Sequence, residues 1–170
     1  MSIFKISKKL YTITLMLIFM VIIILISSLF KDKIKNVALS NNNIDKFIEY
    51  NIGTDKISTI SIPIGWSISE TSTNNDRFYL KINGLKDIVC EVEIINGSLE
   101  KNILNQEKYY SIGKVNDWNV FNINKYSNIE KCYIKNYSEG KILILKFSYS
   151  KNKQKDSIDI VFDIIANSFK

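Results

Sequence analysis

Residues 10–30 carry no charged side chain and lie between Lys9 and Lys31. Their centre, 15–26, is built from Leu, Ile, Met, Val and Phe alone, so no polar face exists. A helix over these 21 residues rises about 30 Å, the thickness of a hydrocarbon core. A helix packed into a soluble core keeps a polar side, which this one lacks. The pattern therefore predicts a transmembrane helix over 10–30. A cleaved secretory signal has an apolar run of roughly 7–15 residues and then a small-x-small site. Here the run is longer, Ser27 and Ser28 give only a weak match, and no cysteine follows to accept a lipid. The reading is an uncleaved signal anchor.

Downstream the pattern changes twice. Residues 31–55 are polar, a juxtamembrane connection in which Asn41, Asn42 and Asn43 form a candidate N-cap. Ile44, Phe47 and Ile48 follow at i, i+3, i+4, which predicts a short amphipathic helix. From Lys56 the period becomes two, with Ile60, Ile62 and Ile64 alternating with serine and the one proline. Strands are predicted at 67–69, 76–83, 88–95 and 118–123, the second and third joined across Asn83-Gly84. Leu99 and Ile103 suggest a helical turn or two between the last pair. A hairpin is predicted from 131–137 and 141–149 around Ser138-Glu139-Gly140, where the glycine supplies φ > 0. The chain then ends in a helix capped by Asp156 or Ser157, with Ile158, Val161, Phe162, Ile165 and Phe169 on one face and Asp159 and Asp163 off it. The organisation is thus a basic tail (1–9), the anchor (10–30), the connection (31–55) and one domain (56–170). Strands that pair in sequence, with helices segregated around them, make the fold class α+β with an antiparallel sheet.

The phrase Ile60-Ser-Ile-Pro-Ile-Gly-Trp66, a strand closing in a proline-glycine-tryptophan turn, resembles the opening of PsbP-like domains. The close, Ile164-Ile-Ala-Asn-Ser-Phe-Lys170 on an amphipathic helix, is similar to that family's end. The resemblance covers about residues 56–170. It implies an antiparallel sheet sandwiched by helices and used for binding or assembly, and it brings no shared catalytic motif. In that turn Pro63 fixes φ and Gly65 permits a backbone other residues resist. The indole of Trp66 is then expected to swing back against the terminal helix at Phe162 and Phe169, which makes Pro63, Gly65 and Trp66 structural residues.

Composition narrows the chemistry. The chain has 170 residues, 46% hydrophobic, with no histidine and two cysteines. That excludes a Ser-His-Asp triad, a histidine zinc site and a disulfide scaffold. Isoleucine (32), lysine (22) and asparagine (19) dominate, all with A/T-rich codons, so the composition follows the genome as much as the function. The net charge of +6 halves once Lys5, Lys8 and Lys9 are set aside, leaving 20 basic against 17 acidic residues. Lysine outnumbers arginine 22 to 1, although phosphate-gripping surfaces favour the guanidinium fork. Nucleic acid is not an expected partner.

Lysines flank the apolar run on both sides, so the positive-inside rule nearly ties. A short basic tail before one long helix places the N-terminus in the cytoplasm and the domain outside, at the cell membrane. Two strand faces mix aromatic and basic groups, Arg77-Tyr79-Lys81 and Lys131-Tyr133-Lys135-Tyr137. Left open, such a face suits an anionic envelope polymer, a lipid surface or another envelope protein; the alternative is a merely solvated face or one that lies under a helix. Glu91 and Glu93 share a strand face about 7 Å apart, a spacing open to a divalent cation or acid–base work, though a solvated face explains it as well. Cys90 and Cys132 are open to a disulfide or to two buried thiols. The expected function is a non-catalytic, membrane-anchored extracytoplasmic binding or docking domain without a cofactor. The alternatives are a hydrolase working through Glu91, Glu93 and Asp76, and a sensory or accessory subunit of a membrane complex.

Overall fold

The computed structural model describes residues 2–54, 57–73, 77–84, 87–98, 110–124, 126–138, 140–151 and 157–169. Helix α1 (Ser2–Asn41) runs 40 residues without a break, a length of about 60 Å. No glycine or proline occurs before Gly53, so nothing in residues 31–41 stops the helix. Every large apolar side chain from Leu10 to Phe30 is exposed, none of it covered by the rest of the chain. Two of its hydroxyls bond back to the helix itself, Thr14 Oγ1 donating to the Leu10 carbonyl (3.0 Å) and Ser27 Oγ to that of Ile23 (2.6 Å). One N-terminal helix is therefore long and apolar enough to span a membrane.

The asparagine cluster ends this helix instead of starting another. Asn43 adopts φ 55°, its N–H donates to the Ser40 carbonyl (3.0 Å), and the Ile44 N–H donates to that of Leu39 (2.9 Å). This is a Schellman closure with asparagine in the left-handed position, and Leu39 and Ile44 join the core beside it. The short helix expected at Ile44, Phe47 and Ile48 does not form. Phe47–Thr54 is strand β1, paired antiparallel with β2 (Ile57–Pro63) as a two-stranded sheet. Five residues of helical spacing lose to a strand partner that pairs with them from Phe47 onward.

The remaining strands are β3 (Ser67–Thr73), β4 (Arg77–Asn83), β5 (Val89–Asn96), β6 (Tyr110–Val115), β7 (Trp118–Asn124), β8 (Asn128–Ser138) and β9 (Lys141–Ser150). They form one antiparallel sheet in the order β3-β4-β5-β9-β8-β7-β6. Gly140 turns the β8–β9 hairpin at φ 69°. Strand β6 was not foreshadowed by the apolar pattern, and the turn expected at Leu99 and Ile103 falls outside the described residues. Helix α2 (Ile158–Asn167) follows Ser157, which sits at φ 71° without a side-chain cap bond.

The fold is α+β. All five residues of the α2 stripe, including Phe169 just past its end, are buried against one face of the sheet. An aromatic series crosses the core there, from Trp118 edge-on to Tyr133, Tyr133 edge-on to Phe147, and Phe147 stacked on Phe162 at 4.2 Å. Ile60 and Ile62 of β2, Ile44 and Leu39 close the same core, so the end of α1 is part of the domain. On the opposite face Phe121, Cys132, Ile134 and Ile142 form a second, smaller buried cluster.

Candidate functional site

Residues paired across antiparallel strands project to the same side of a sheet. The register therefore sorts every candidate to a face. Lys131 pairs with Phe147, Tyr133 with Leu145 and Lys135 with Leu143, which puts them on the side covered by α2. Lys131 is 6% exposed and Tyr133 fully buried. The expected open surface at Lys131, Tyr133, Lys135 and Tyr137 is thus corrected: its aromatic rings are core, and its first lysine is shut in beneath the helix. Lys135 lies over the Trp118 ring at 4.4 Å, and burial lowers its ammonium pKa. Tyr137 is partly buried against the same core.

Beneath α2 these groups build a polar network. The Tyr133 hydroxyl donates to Asp163 Oδ1 at 2.5 Å, and Lys131 Nζ lies 3.3 Å from Asp159 Oδ1 and 3.7 Å from Asp163 Oδ1. Burial, then the neighbouring Asp163 carboxylate, pushes the Tyr133 phenol far above its ordinary range. Burial, and then the Asp159 carboxylate, push Tyr149 up to about 12. Among the described residues, one lysine serves two carboxylates, which leaves these three groups with an excess negative charge. The sequence held the signal, since Asp159 and Asp163 stand four apart on one helix face, but not the identity of their partner.

The other aromatic-basic triplet faces the opposite way. Tyr79 pairs with Glu93, Lys81 with Glu91, and Glu91 in turn with Lys146. Glu70 of β3 pairs with Lys81. Glu70, Lys81, Glu91 and Lys146 therefore form a row across four adjacent strands in which the sign of charge alternates. Glu91 and Lys146 are in direct ion-pair contact. Burial works to lower the Lys146 ammonium, and the hydrogen bond and charge of Glu91 outweigh it, so its pKa rises. Tyr79 is raised by burial and then by Glu91, Glu70 and Glu93 around it. In the backbone register Arg77 pairs with Ile95. The two aromatic-basic triplets accordingly belong to different surfaces and do not combine.

Glu91 and Glu93 do share one side, as their spacing requires, and a lysine occupies the first of them. Asp76 falls outside the described residues, and among the described residues no three acidic or thiol groups converge on a metal position. Cys90 pairs with Phe147 and Cys132 with Lys146, so the thiols project to opposite faces from strands two positions apart. That separation is about 9–10 Å, beyond the reach of a disulfide. Both thiols are buried and neither is in a disulfide, and burial pushes Cys90 well above its usual range.

At the turn, the Trp66 N–H donates to the Pro63 carbonyl at 3.1 Å and Gly65 adopts φ 88°. Trp66 is buried in the core that holds Phe162 and Phe169, and its indole covers Gly84 at the end of β4. A cleft of about 470 Å³ opens where α1 meets α2, lined by Lys35, Ser61, Ile160, Asp163, Ile164 and Asn167. Ser168 ties the floor together, its Oγ accepting from the Ser61 N–H at 2.9 Å and donating to the Ile165 carbonyl at 2.7 Å. Compared with known families and curated sequences, the chain matches no family model and no curated protein.

Proposed function

We propose that this chain is a single-pass membrane anchor carrying an extracytoplasmic docking domain, held at a fixed height above the bilayer. One observation carries the reading. The apolar helix does not end at the membrane but continues as the same helix into the domain, where Ala38 is fully buried and Leu39 and Ile44 close the core. A flexible tether would let the domain sample a wide volume. A continuous helix instead places it one short step of about 10–12 Å above residue 30. Such a stem suits a domain whose partner sits in the same membrane. The PsbP-like character belongs to the same proposal, supported by the turn at residues 60–66 and the amphipathic close of the chain.

The docking surface is the part of the sheet turned away from α2 that carries Glu70, Tyr79, Lys81, Glu91 and Lys146, beside the buried cluster around Ile142. Its charges alternate, so it offers no net positive stripe to an anionic polymer. Alternating charges around Tyr79 suit a folded polypeptide with the complementary pattern, where electrostatics sets register more than affinity. A photoreactive phenylalanine analogue at Tyr79, introduced in the full-length protein in cells, tests this. Crosslinking is expected to give one discrete adduct, absent when the analogue replaces the fully exposed Tyr126. No adduct from position 79, or the same adducts from both positions, rejects the docking face.

A further inference from the structure

The cleft between α1 and α2 lies at a height set by the anchor. Lys35, which lines it, is five residues past Phe30, where the apolar run ends. Five residues of helix rise about 7–8 Å, and the headgroup layer on each side of a bilayer is roughly 5–8 Å deep. Lys35 therefore stands among phospholipid headgroups whenever residues 10–30 span the hydrocarbon.

The lining has the chemistry of that layer. Lys35 brings a cation from α1, Asp163 an anion from α2, and Ile160 and Ile164 an apolar patch between polar Ser61 and Asn167. Asp163 already accepts the Tyr133 hydroxyl and lies near Lys131, both through Oδ1. A carboxylate has about four acceptor sites, so capacity remains for another donor. Lys131 must also balance Asp159, which leaves the cluster one positive charge short.

We propose that this cleft seats the headgroup of an amine-bearing membrane phospholipid, the phosphate against Lys35 and the ammonium against Asp163. The proposal rests on the anchoring reading above and adds a ligand to it. A lipid held here pins the domain's orientation at the membrane surface, because it bridges the stem to the helix that covers the core.

The test uses the full-length protein in nanodiscs of equal phosphatidylethanolamine and phosphatidylglycerol, extracted gently and weighed with retained lipid by native mass spectrometry. The wild type is expected to keep phosphatidylethanolamine in preference to phosphatidylglycerol. Lys35→Glu is expected to lower the retained fraction about tenfold, the effect of losing one charge-assisted contact. Ile164→Trp, which fills the cleft without changing either charge, is expected to do the same. Asp163→Asn removes the preference between the two lipids. Equal retention of both lipids by the wild type, or unchanged retention in Lys35→Glu and Ile164→Trp, overturns the proposal. A chain that fails to enter nanodiscs at all overturns the anchoring reading and the lipid site with it.

Discussion

The indole of Trp66 lies so close over Gly84 that a Cβ placed there would meet Trp66 Cε2 at 2.8 Å and Cζ2 at 2.9 Å. Gly84 is not among the glycines at positive φ, so its need for glycine is one of contact and not of backbone strain. The turn after β2 and the turn after β4 are thereby fitted to each other. Gly84→Ala is expected to cost about 1–3 kcal/mol through overpacking, and Trp66→Ala about 3–5 kcal/mol through the cavity it leaves. The informative variant is the double one. With the indole gone the methyl has room, so the cost of Gly84→Ala should nearly vanish in the Trp66→Ala background. Denaturant melts of the four proteins measure this, and additive costs would show that the two residues act independently.

Lys131 supplies a second test, of the network under α2. Its removal strands Asp159 and Asp163, although both retain some access to water, with 49% and 30% of their side chains exposed. Lys131→Met is accordingly expected to cost on the order of 2 kcal/mol, below the figure for a fully buried pair. Adding Asp159→Asn should recover part of that loss, since it removes a carboxylate left without its cation. Thermal melts at neutral pH compare the single and double variants. If the second change deepens the loss, the charges do not carry the interaction.

Much of this architecture could be read from the period of the apolar residues. The α2 stripe, the β8–β9 hairpin with Gly140, and the shared face of Glu91 and Glu93 follow from spacings of 3.6 and 2. Three things could not be read locally. Asn43 looks the same in sequence at a helix start or a helix end, and only the carbonyls of Leu39 and Ser40 behind it decide for the end. Phe47 and Ile48 have helical spacing over too short a span to outweigh a strand partner. The sheet order decided which aromatic-basic strand faced outward, because pairing Lys131 with Phe147 puts that lysine under α2 and pairing Lys81 with Glu91 puts the other on the far side. Period identifies two faces of a strand but not which of them a helix will cover.

Alkaline stability follows from the buried acids. Cys90, Tyr133 and Tyr149 all ionise at higher pH in the fold than their ordinary values of 9.0 and 10.0. Above those values the unfolded chain releases protons that the folded chain retains, so stability falls as pH rises. The loss should begin near pH 9 with Cys90 and steepen above pH 10 with the two tyrosines. Tyr149, which reaches about 12, stops contributing once the folded form also ionises. Tyr133→Phe keeps the ring in place but has no proton to lose. It should be less stable than the wild type at neutral pH by about 1–2 kcal/mol, for the lost bond to Asp163, and less sensitive above pH 10. Melts from pH 7 to 11 check both signs, and parallel curves for the two proteins would remove Tyr133 from this account.

Topology can be tested with the protein's own chemistry, because both native thiols are buried and neither is in a disulfide. Cys90 lies under α2 and Cys132 in the cluster on the other face, so neither should react with a maleimide while the domain is folded. Tyr126 is fully exposed in the turn between β7 and β8, and Tyr126→Cys places one accessible thiol far from the core. With the domain outside the cytoplasm, a membrane-impermeant maleimide added to intact cells should label Tyr126→Cys and leave the wild type unlabelled. Lysis should not raise the signal further, and denaturation should then expose the two native cysteines. Labelling of Tyr126→Cys only after lysis would place the domain in the cytoplasm and reverse the orientation of α1. Labelling of the wild type in intact cells would instead mean that the sheet does not hold Cys90 and Cys132 closed.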